Sequence, residues 1–273
     1  MTPTGQVVLP SNQVKCKTDL TTVNFTTLNT IGSTSYSWSN SNTDIGLGAT
    51  GTGNISFTAA NATLSPISGT IEVTPTFTYG GTSCVGPSKT FTITVNPTGQ
   101  VNDPTDLVKC NTDLTTTTFT TTNLIGTTTY AWANTNTGIG LGASGTGNIS
   151  FTAANTGTAP ITGTITVTPT FDNGGTICVG PSESFTITVN PTGQVNLPAN
   201  QVKCNTDATT VTFTTTHTVG LTTYAWSNTN AGIGLGVSGT GDISFTATNA
   251  GTLPISGTIV VTPTFTYGLV SCT

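Results

Sequence analysis

The sequence contains very little charge. It has no arginine, only five lysines and ten acidic residues, so charged residues make up 5% of the 273 positions and the formal net charge is −5. Ordinary soluble domains carry roughly 25% charged residues. Because phosphate backbones and anionic lipid surfaces are bound by clustered lysine and arginine, nucleic acid is not expected as a partner.

Long apolar runs and helical patterns are also missing. No run reaches the roughly 18 apolar residues of a membrane span, so no membrane insertion is expected. Threonine, serine, asparagine and glycine supply the polarity, and the 34% of hydrophobic residues alternate with them. Threonine suits strands because its β-branch fits a pleated surface. The composition and its alternation predict an all-β fold.

The chain consists of three copies of one sequence. The segment Pro-Thr-Gly-Gln-Val begins at Pro3, Pro97 and Pro191, which are 94 residues apart. A period of this length exceeds solenoid repeats and fits whole sandwich domains in series. We therefore predict three immunoglobulin-like β-sandwich domains, residues 1–96, 97–190 and 191–273, which are called repeats 1, 2 and 3 below. The Asn-Pro junctions between them are stiff and favour an extended rod.

Each repeat shows about seven short strand patterns separated by turn signals, as expected of such a sandwich. In repeat 2 the first strand is Leu107–Cys110, and a long one runs from Ile161 to Phe171. Pro169 lies inside the long strand, which predicts a sheet edge or a bulge there. Aromatic residues two apart share a face, and we predict that they are core anchors: Tyr36, Trp38, Tyr130, Trp132, Tyr224 and Trp226.

Repeat 3 is shorter than the others. Nothing after Thr273 corresponds to the strand pattern Phe185–Val189 of repeat 2. The expected reason is that the chain is a fragment of a longer repeat protein. The alternative is that another chain donates the strand, since an open sheet edge can accept one.

Each repeat has two cysteines, 68 residues apart: Cys16, Cys84, Cys110, Cys178, Cys204 and Cys272. They lack the close pairs of zinc sites, and there is one histidine, so neither a metal nor a cofactor is expected. One disulfide within each domain is the economical prediction, worth about 4 kcal/mol in the chain-entropy model. Disulfides indicate an oxidising compartment outside the cytoplasm.

A Gly-x-Gly-x-x-Gly pattern occurs in every repeat. A dinucleotide-binding fold would continue it with a helix, but each copy here continues with the strand pattern Asn/Asp-Ile-Ser-Phe-Thr. We therefore predict that the glycines serve a tight turn. They are Gly46, Gly48 and Gly51, then Gly140, Gly142 and Gly145, then Gly234, Gly236 and Gly239.

The remaining polar residues do not form a catalytic group. His217 corresponds to Asn29 and Asn123, so we predict an exposed turn residue. The recurring acids Asp19, Asp113 and Asp207 indicate turn chemistry, and a calcium site at Asp103 and Asp106 has weak support because it occurs at one junction only. The chain is not expected to be an enzyme.

Several motifs together resemble one known family. Tyr-x-Trp, Gly-Ile-Gly-Leu-Gly, Gly-Thr-Gly-Asn-Ile-Ser-Phe-Thr-Ala and Phe-Thr-Ile-Thr-Val-Asn-Pro resemble the PKD-like repeats of very large surface proteins from gliding and biofilm-forming Bacteroidetes-type bacteria. The resemblance covers essentially the whole chain. It implies immunoglobulin-like stalk domains of adhesins, an extracellular or cell-surface location and export by the type IX secretion system. It implies no catalytic residue.

Three hypotheses follow. The first is a disulfide-stapled stalk segment of a surface adhesin or fibre, in which each domain spans roughly 35–40 Å and three in line reach on the order of 110 Å. The second is a self-assembling extracellular filament subunit with strand complementation between chains. The third is a carbohydrate-binding module. The expected partners are neighbouring repeats, other copies of the chain and surface glycans.

Overall fold

The computed structural model describes all 273 residues and confirms the all-β class, with strands and three single-turn 3-10 helices. The strands of repeat 1 are β1 Gln13–Cys16, β2 Leu20–Val23, β3 Ser33–Asn40, β4 Thr50–Thr52, β5 Ile55–Thr58, β6 Ile67–Tyr79, β7 Thr82–Val85 and β8 Lys89–Asn96. Those of repeat 2 are β9 Leu107–Cys110, β10 Leu114–Thr117, β11 Thr127–Asn134, β12 Ser144–Thr146, β13 Ile149–Thr152, β14 Ile161–Asn173, β15 Thr176–Val179 and β16 Glu183–Asn190.

Repeat 3 has six strands: β17 Ala208–Val211, β18 Leu221–Asn228, β19 Ser238–Thr240, β20 Ile243–Thr246, β21 Ile259–Tyr267 and β22 Val270–Cys272. The 3-10 helices are Thr43–Ile45, Thr137–Ile139 and Ala231–Ile233. None of them has the length or apolar character needed to cross a bilayer.

Repeat 1 forms an immunoglobulin-like sandwich of two sheets. The large sheet has the order β1-β8-β6-β3-β4 with β7 added to β6, and the small sheet pairs β2 with β5. Alternate side chains of β6 and β8 point inward because a strand has a period of two. The core between the sheets contains Val23, Ile45, Ile55, Ile71, Val73, Phe91, Ile93 and Val95. The corresponding large sheet of repeat 2 has the order β12-β11-β14-β16-β9.

Repeat 3 lacks the strand that β8 and β16 provide in the other repeats. Its large sheet has the order β19-β18-β21-β22, and residues 201–204 form no strand because no neighbour is present for parallel pairing. In repeat 1, Ile71 and Val73 are fully buried, whereas their counterparts Ile259 and Val261 are partly exposed. Strand β21 therefore has an unpaired edge along the core.

Of the two predicted explanations for this proline, an edge or a bulge, the edge is wrong because β6 and β14 are central in their sheets, and in β6 the proline lies instead at a break in the regular pairing. In β6, pairing with β8 ends at Val73 and pairing with β7 begins at Thr76. Pro75 lies in the gap between these two ladders, where the missing N–H removes no hydrogen bond from either. Its carbonyl accepts the Gly86 N–H at 2.8 Å.

Backbone contacts divide the chain into two compact units. One comprises Met1–Asp103, Phe119–Ala131 and Val167–Glu183, and the other Pro104–Thr118, Trp132–Thr166 and Ser184–Thr273. The three-domain boundaries at residues 96 and 190 remain a prediction. Each unit contains one disulfide.

Candidate functional site

The disulfides join successive repeats. Cys16 is bonded to Cys178 and Cys110 to Cys272, with Cα atoms 5.4 and 5.5 Å apart and the same sequence separation of 162 residues. Cys84 and Cys204 are free. The prediction of one disulfide within each domain is wrong.

The sheet register explains this correction. Cys16 lies beside Asn96, at the end of β8 that pairs with the start of β6 near Ile67. Cys84 pairs with Phe77, ten residues further along β6. The two cysteines of repeat 1 are therefore about 33 Å apart at the rise of a strand, whereas a disulfide needs Cα atoms within about 7 Å.

A tight turn positions the first cysteine of each repeat. The Asp19 carboxylate accepts the Cys16 N–H at 2.8 Å, and the Asp19 N–H donates to the Cys16 carbonyl at 3.0 Å. Between them Thr18 has φ 76°, a left-handed conformation that costs an L residue about 1–2 kcal/mol. The two hydrogen bonds offset this strain. The same turn recurs at Asp113 and Asp207.

The linker to each repeat docks beside its second cysteine. The Gly99 N–H donates to the Cys178 carbonyl at 3.2 Å, and the same bond joins Gly193 to Cys272 and Gly5 to Cys84. A side chain on Gly99 would collide with the backbone of Pro169, so glycine is required at this close approach. The hairpin cysteine is thus fixed on its backbone side by its own linker.

Buried asparagines complete the junctions. The Asn173 side chain in the β14–β15 hairpin donates to the Asn96 side-chain oxygen at 3.2 Å, and the Asn190 side chain donates to the Tyr267 carbonyl at 2.9 Å. Asn96 and Asn190 are fully buried. Neither residue is among the site residues predicted from the sequence. Their recurrence before proline in Val-Asn-Pro was a usable signal, because buried amides need partners.

At each junction the bridged hairpin cysteine is shielded from solvent. Cys178 and Cys272 are only 1% and 2% exposed, so the preceding repeat covers them. No group of three or more histidine, cysteine, aspartate or glutamate residues could hold a metal ion. Stable disulfides form outside the reducing cytoplasm, so the bridges assign the protein to a secreted or extracellular setting.

The glycine pattern builds a corner of the sandwich. Gly46 ends the 3-10 helix Thr43–Ile45 with φ 93°, a conformation that favours glycine. Gly51 pairs with Trp38 across β3 and β4, and a Cβ at Gly51 would overlap the indole ring. The glycines therefore cap a turn and admit an aromatic ring, as their positions between strands predict.

The six predicted anchors occupy equivalent positions. Tyr36 and Trp38 are partly buried and pack against the core of repeat 1, and Tyr224 and Trp226 do so in repeat 3. The other pair, Tyr130 and Trp132, is also partly buried. Burial raises the pKa of the three tyrosine hydroxyls. The indole N–H groups have no hydrogen-bond partner, and the fully buried aromatics are instead Phe77, Phe171 and Phe265.

An open depression of about 480 Å³ lies over the Trp38–Gly51 pair. Hydroxyl groups surround it, and Glu72 provides a single carboxylate. The lining residues are Ser37, Trp38, Ser39, Thr50, Gly51, Thr52, Glu72 and Thr74.

His217 is half-buried rather than exposed. Its Nδ1 lies 3.1 Å from the Thr215 hydroxyl and 3.0 Å from the Thr222 hydroxyl, and its ring centroid is 4.5 Å from that of Phe265. Burial lowers the pKa of His217, and the Thr192 backbone opposes this effect. The ring is thus held by the hydroxyl groups of Thr215 and Thr222.

The junction acid Asp106 has a structural role. Its carboxylate accepts the Thr186 N–H at 2.6 Å, which lowers the pKa of Asp106. Asn12 makes the same bond to Thr92 in repeat 1. Because the uncharged amide of Asn12 makes the same hydrogen bond, the contact connects the first strand of the repeat to the last and does not require calcium.

No protein-family model and no curated protein matches the chain. Among solved structures, it is similar to the EC21–23 segment of human CDH23, with 13% identity and a TM-score of 0.36 over 96% of this chain and 99% of that one. It is also similar to the FN1–FN3 domains of chicken CNTN1, with 9% identity and a TM-score of 0.32 over 99% and 95%. A third is the EC1–4 segment of Drosophila N-cadherin, with 15% identity and a TM-score of 0.30 over 69% and 50%. The fold of this chain rests on its own strand order and core: tandem immunoglobulin-like β-sandwich repeats.

Proposed function

We propose that this chain is a non-catalytic structural segment of an extracellular bacterial surface adhesin or fibre and acts as a disulfide-stapled stalk. The observation that supports this most is the pairing of Cys16 with Cys178 and of Cys110 with Cys272. Each bridge connects two successive repeats, so a pulling force passes between them through a covalent bond. A chain of independent domains would need no such bond.

The junction is built to resist separation. A bridge, a buried asparagine and a docked linker act at the same hairpin, so opening the junction breaks a covalent bond and exposes buried amides. Charge contributes little, since only 5% of residues are charged. Stiffness would therefore depend weakly on salt, because screening acts on charges.

The shape is testable in solution. Small-angle scattering and electron imaging of the purified chain are expected to show an elongated particle with a longest dimension on the order of 110 Å. Scattering curves recorded at low and at high salt should superimpose. A compact particle, or one that collapses with salt, would contradict the stalk.

The location has its own test. The resemblance to PKD-like surface repeats supports cell-surface display after type IX secretion. Antibodies raised against the chain should label intact source cells without permeabilisation, and a secretion-defective strain should retain the antigen. Labelling only after lysis would refute surface display and leave the junction chemistry unaffected.

A filament subunit is the second candidate. The unpaired edge of β21, where the core residues Ile259 and Val261 are partly exposed, favours it because an open edge accepts a strand from another chain. Polymer formation that rises with concentration under reducing conditions would support strand complementation. Analytical ultracentrifugation showing only monomers across that range would exclude it.

Glycan binding is the third candidate. The open depression beside Trp38, lined by hydroxyl groups, is the surface that supports it. A glycan array probed with the chain and with the Glu72→Gln variant tests it, because a specific contact would be altered by loss of the carboxylate. Silence of both proteins would remove this candidate.

A further inference from the structure

Each of the two observed bridges joins a turn cysteine to a hairpin cysteine, and the two free cysteines are one of each kind. Cys84 holds the hairpin position of Cys178 and Cys272, and Cys204 holds the turn position of Cys16 and Cys110. We propose that Cys204 of one copy forms a disulfide with Cys84 of a second copy, so that copies join head to tail. This deepens the proposed stalk function by naming a partner, a second copy of this chain.

The turns that hold Cys204 and Cys84 have the same hydrogen bonds as those of the bridged cysteines. The Asp207 carboxylate accepts the Cys204 N–H at 2.9 Å, as Asp113 does for the bridged Cys110 at 2.8 Å. The Gly5 N–H donates to the Cys84 carbonyl at 3.1 Å, as Gly99 does for the bridged Cys178 at 3.2 Å. Bridge formation thus requires no rearrangement of either turn.

The free cysteines are more exposed than their bridged counterparts, as expected if a neighbouring repeat is missing. The bridged hairpin cysteines Cys178 and Cys272 are buried, whereas Cys84 is partly exposed and Cys204 is exposed. Val202, next but one to Cys204, is 99% exposed. Its counterpart Val108 lies against Gly268 in the hairpin that carries Cys272. The hairpin of a second copy would cover Val202 in the same way.

The sequence period fits a second copy. A step of 162 residues from Cys204, equal to the separation in both observed bridges, reaches the position that Cys84 would hold if a further copy continued the 94-residue period. Within one chain, only the two bonded pairs of cysteines lie 162 residues apart. Cys84 of a second copy placed head to tail would therefore take the position that pairs with Cys204.

The chemistry needs one oxidant, a low-molecular-weight disulfide such as oxidised glutathione. The Cys204 thiolate attacks one sulfur of that disulfide, forms a mixed disulfide and releases one small thiolate. The Cys84 thiolate of the second copy then attacks the Cys204 sulfur and releases the other. The two cysteines lose two electrons and two protons in total, and the small disulfide gains them as two thiols.

Two matched variants test the pairing. Cys84→Ser retains only the Cys204 half, and Cys204→Ser retains only the Cys84 half, so each alone should stay monomeric with oxidised glutathione on a non-reducing gel. Their mixture should give a dimer, and the wild-type chain should give a ladder. Since lysine is the only trypsin site, a non-reducing digest of the dimer should link peptide 18–89 of one copy to peptide 204–273 of the other, which also carries peptides 110–203 and 16–17 through the two bridges within its own chain.

Two results would overturn head-to-tail pairing. One is that no covalent dimer forms in the mixture. The other is that each single variant dimerises as fast as the mixture, which is indiscriminate thiol oxidation. Neither result bears on surface display or on the elongated shape, so failure of this linkage and failure of the stalk function remain distinguishable.

Discussion

The overlapping bridges limit how far the chain can be stretched, and this can be measured by pulling on its termini. When both bridges are intact, the shortest covalent path runs from Met1 to Cys16, crosses to Cys178, returns along the backbone to Cys110, and crosses to Cys272 beside Thr273. It contains 15 residue steps, then 68, then one. The fully extended length is therefore about 84 residues, or about 290 Å.

Reduction should release the rest of the chain. Without bridges the path has about 272 steps, or about 930 Å, so the reductant should add about 640 Å. Single-molecule force spectroscopy with handles at both ends measures this difference. Cys16→Ser removes one bridge and should give an intermediate length of about 110 steps, or about 370 Å.

The matched control is Cys84→Ser. Because Cys84 is free, this substitution should leave the oxidised length unchanged. If the disulfides instead lay within each repeat, Cys84→Ser would break one of them and increase the oxidised length. An oxidised length that increases in Cys84→Ser, or one that equals the reduced length in the wild type, would refute the pairing described above.

Three further predictions concern single side chains. Gly51→Ala should lower the free energy of unfolding by about 1–3 kcal/mol because its Cβ overlaps the Trp38 ring, whereas Gly48→Ala, which meets nothing closer than 3.9 Å, should change little in the same urea titration. Asn190→Ala should lower the free energy of unfolding by about 1–3 kcal/mol because the Tyr267 carbonyl loses its donor, while Asn196→Ala, at an exposed amide, serves as the control. Equal effects of the two substitutions would contradict this role of Asn190. Because burial lowers the pKa of His217 in the folded state, the unfolded chain binds the proton first as pH falls below about 6.5. Stability is thus present at neutral pH and declines towards pH 5, and His217→Asn should flatten that decline in thermal unfolding; an unchanged pH profile would exclude the histidine as its source.

The strands could be predicted from sequence because their signal is local. In β14, Ile165, Val167 and Phe171 alternate with threonines, and the structure buries all three completely. A period of two and a turn at each end are enough to define such an element. The ends of β10, Leu114–Thr117, are harder to predict because a run of threonines has no apolar alternation to fix them.

The disulfide pairing could not be predicted, because both schemes respect the repeat. A spacing of 68 within each copy and one of 162 between copies recur with the same 94-residue period. Only the register of β1, β8, β6 and β7 shows that Cys16 and Cys84 lie at opposite ends of a long strand. Register is a property of long-range pairing, which no short window of sequence contains.

The 162-residue span of each bridge also has a consequence in time. Ribosomes extend a chain at about 5–20 residues per second, so about 8–30 s separate the synthesis of Cys16 from that of Cys178. Cys84 is made in between, yet the folded first repeat holds it beyond reach of Cys16. If export follows the same order, every leading thiol must wait for the repeat behind it. Under that order, oxidation would proceed from the first junction to the last.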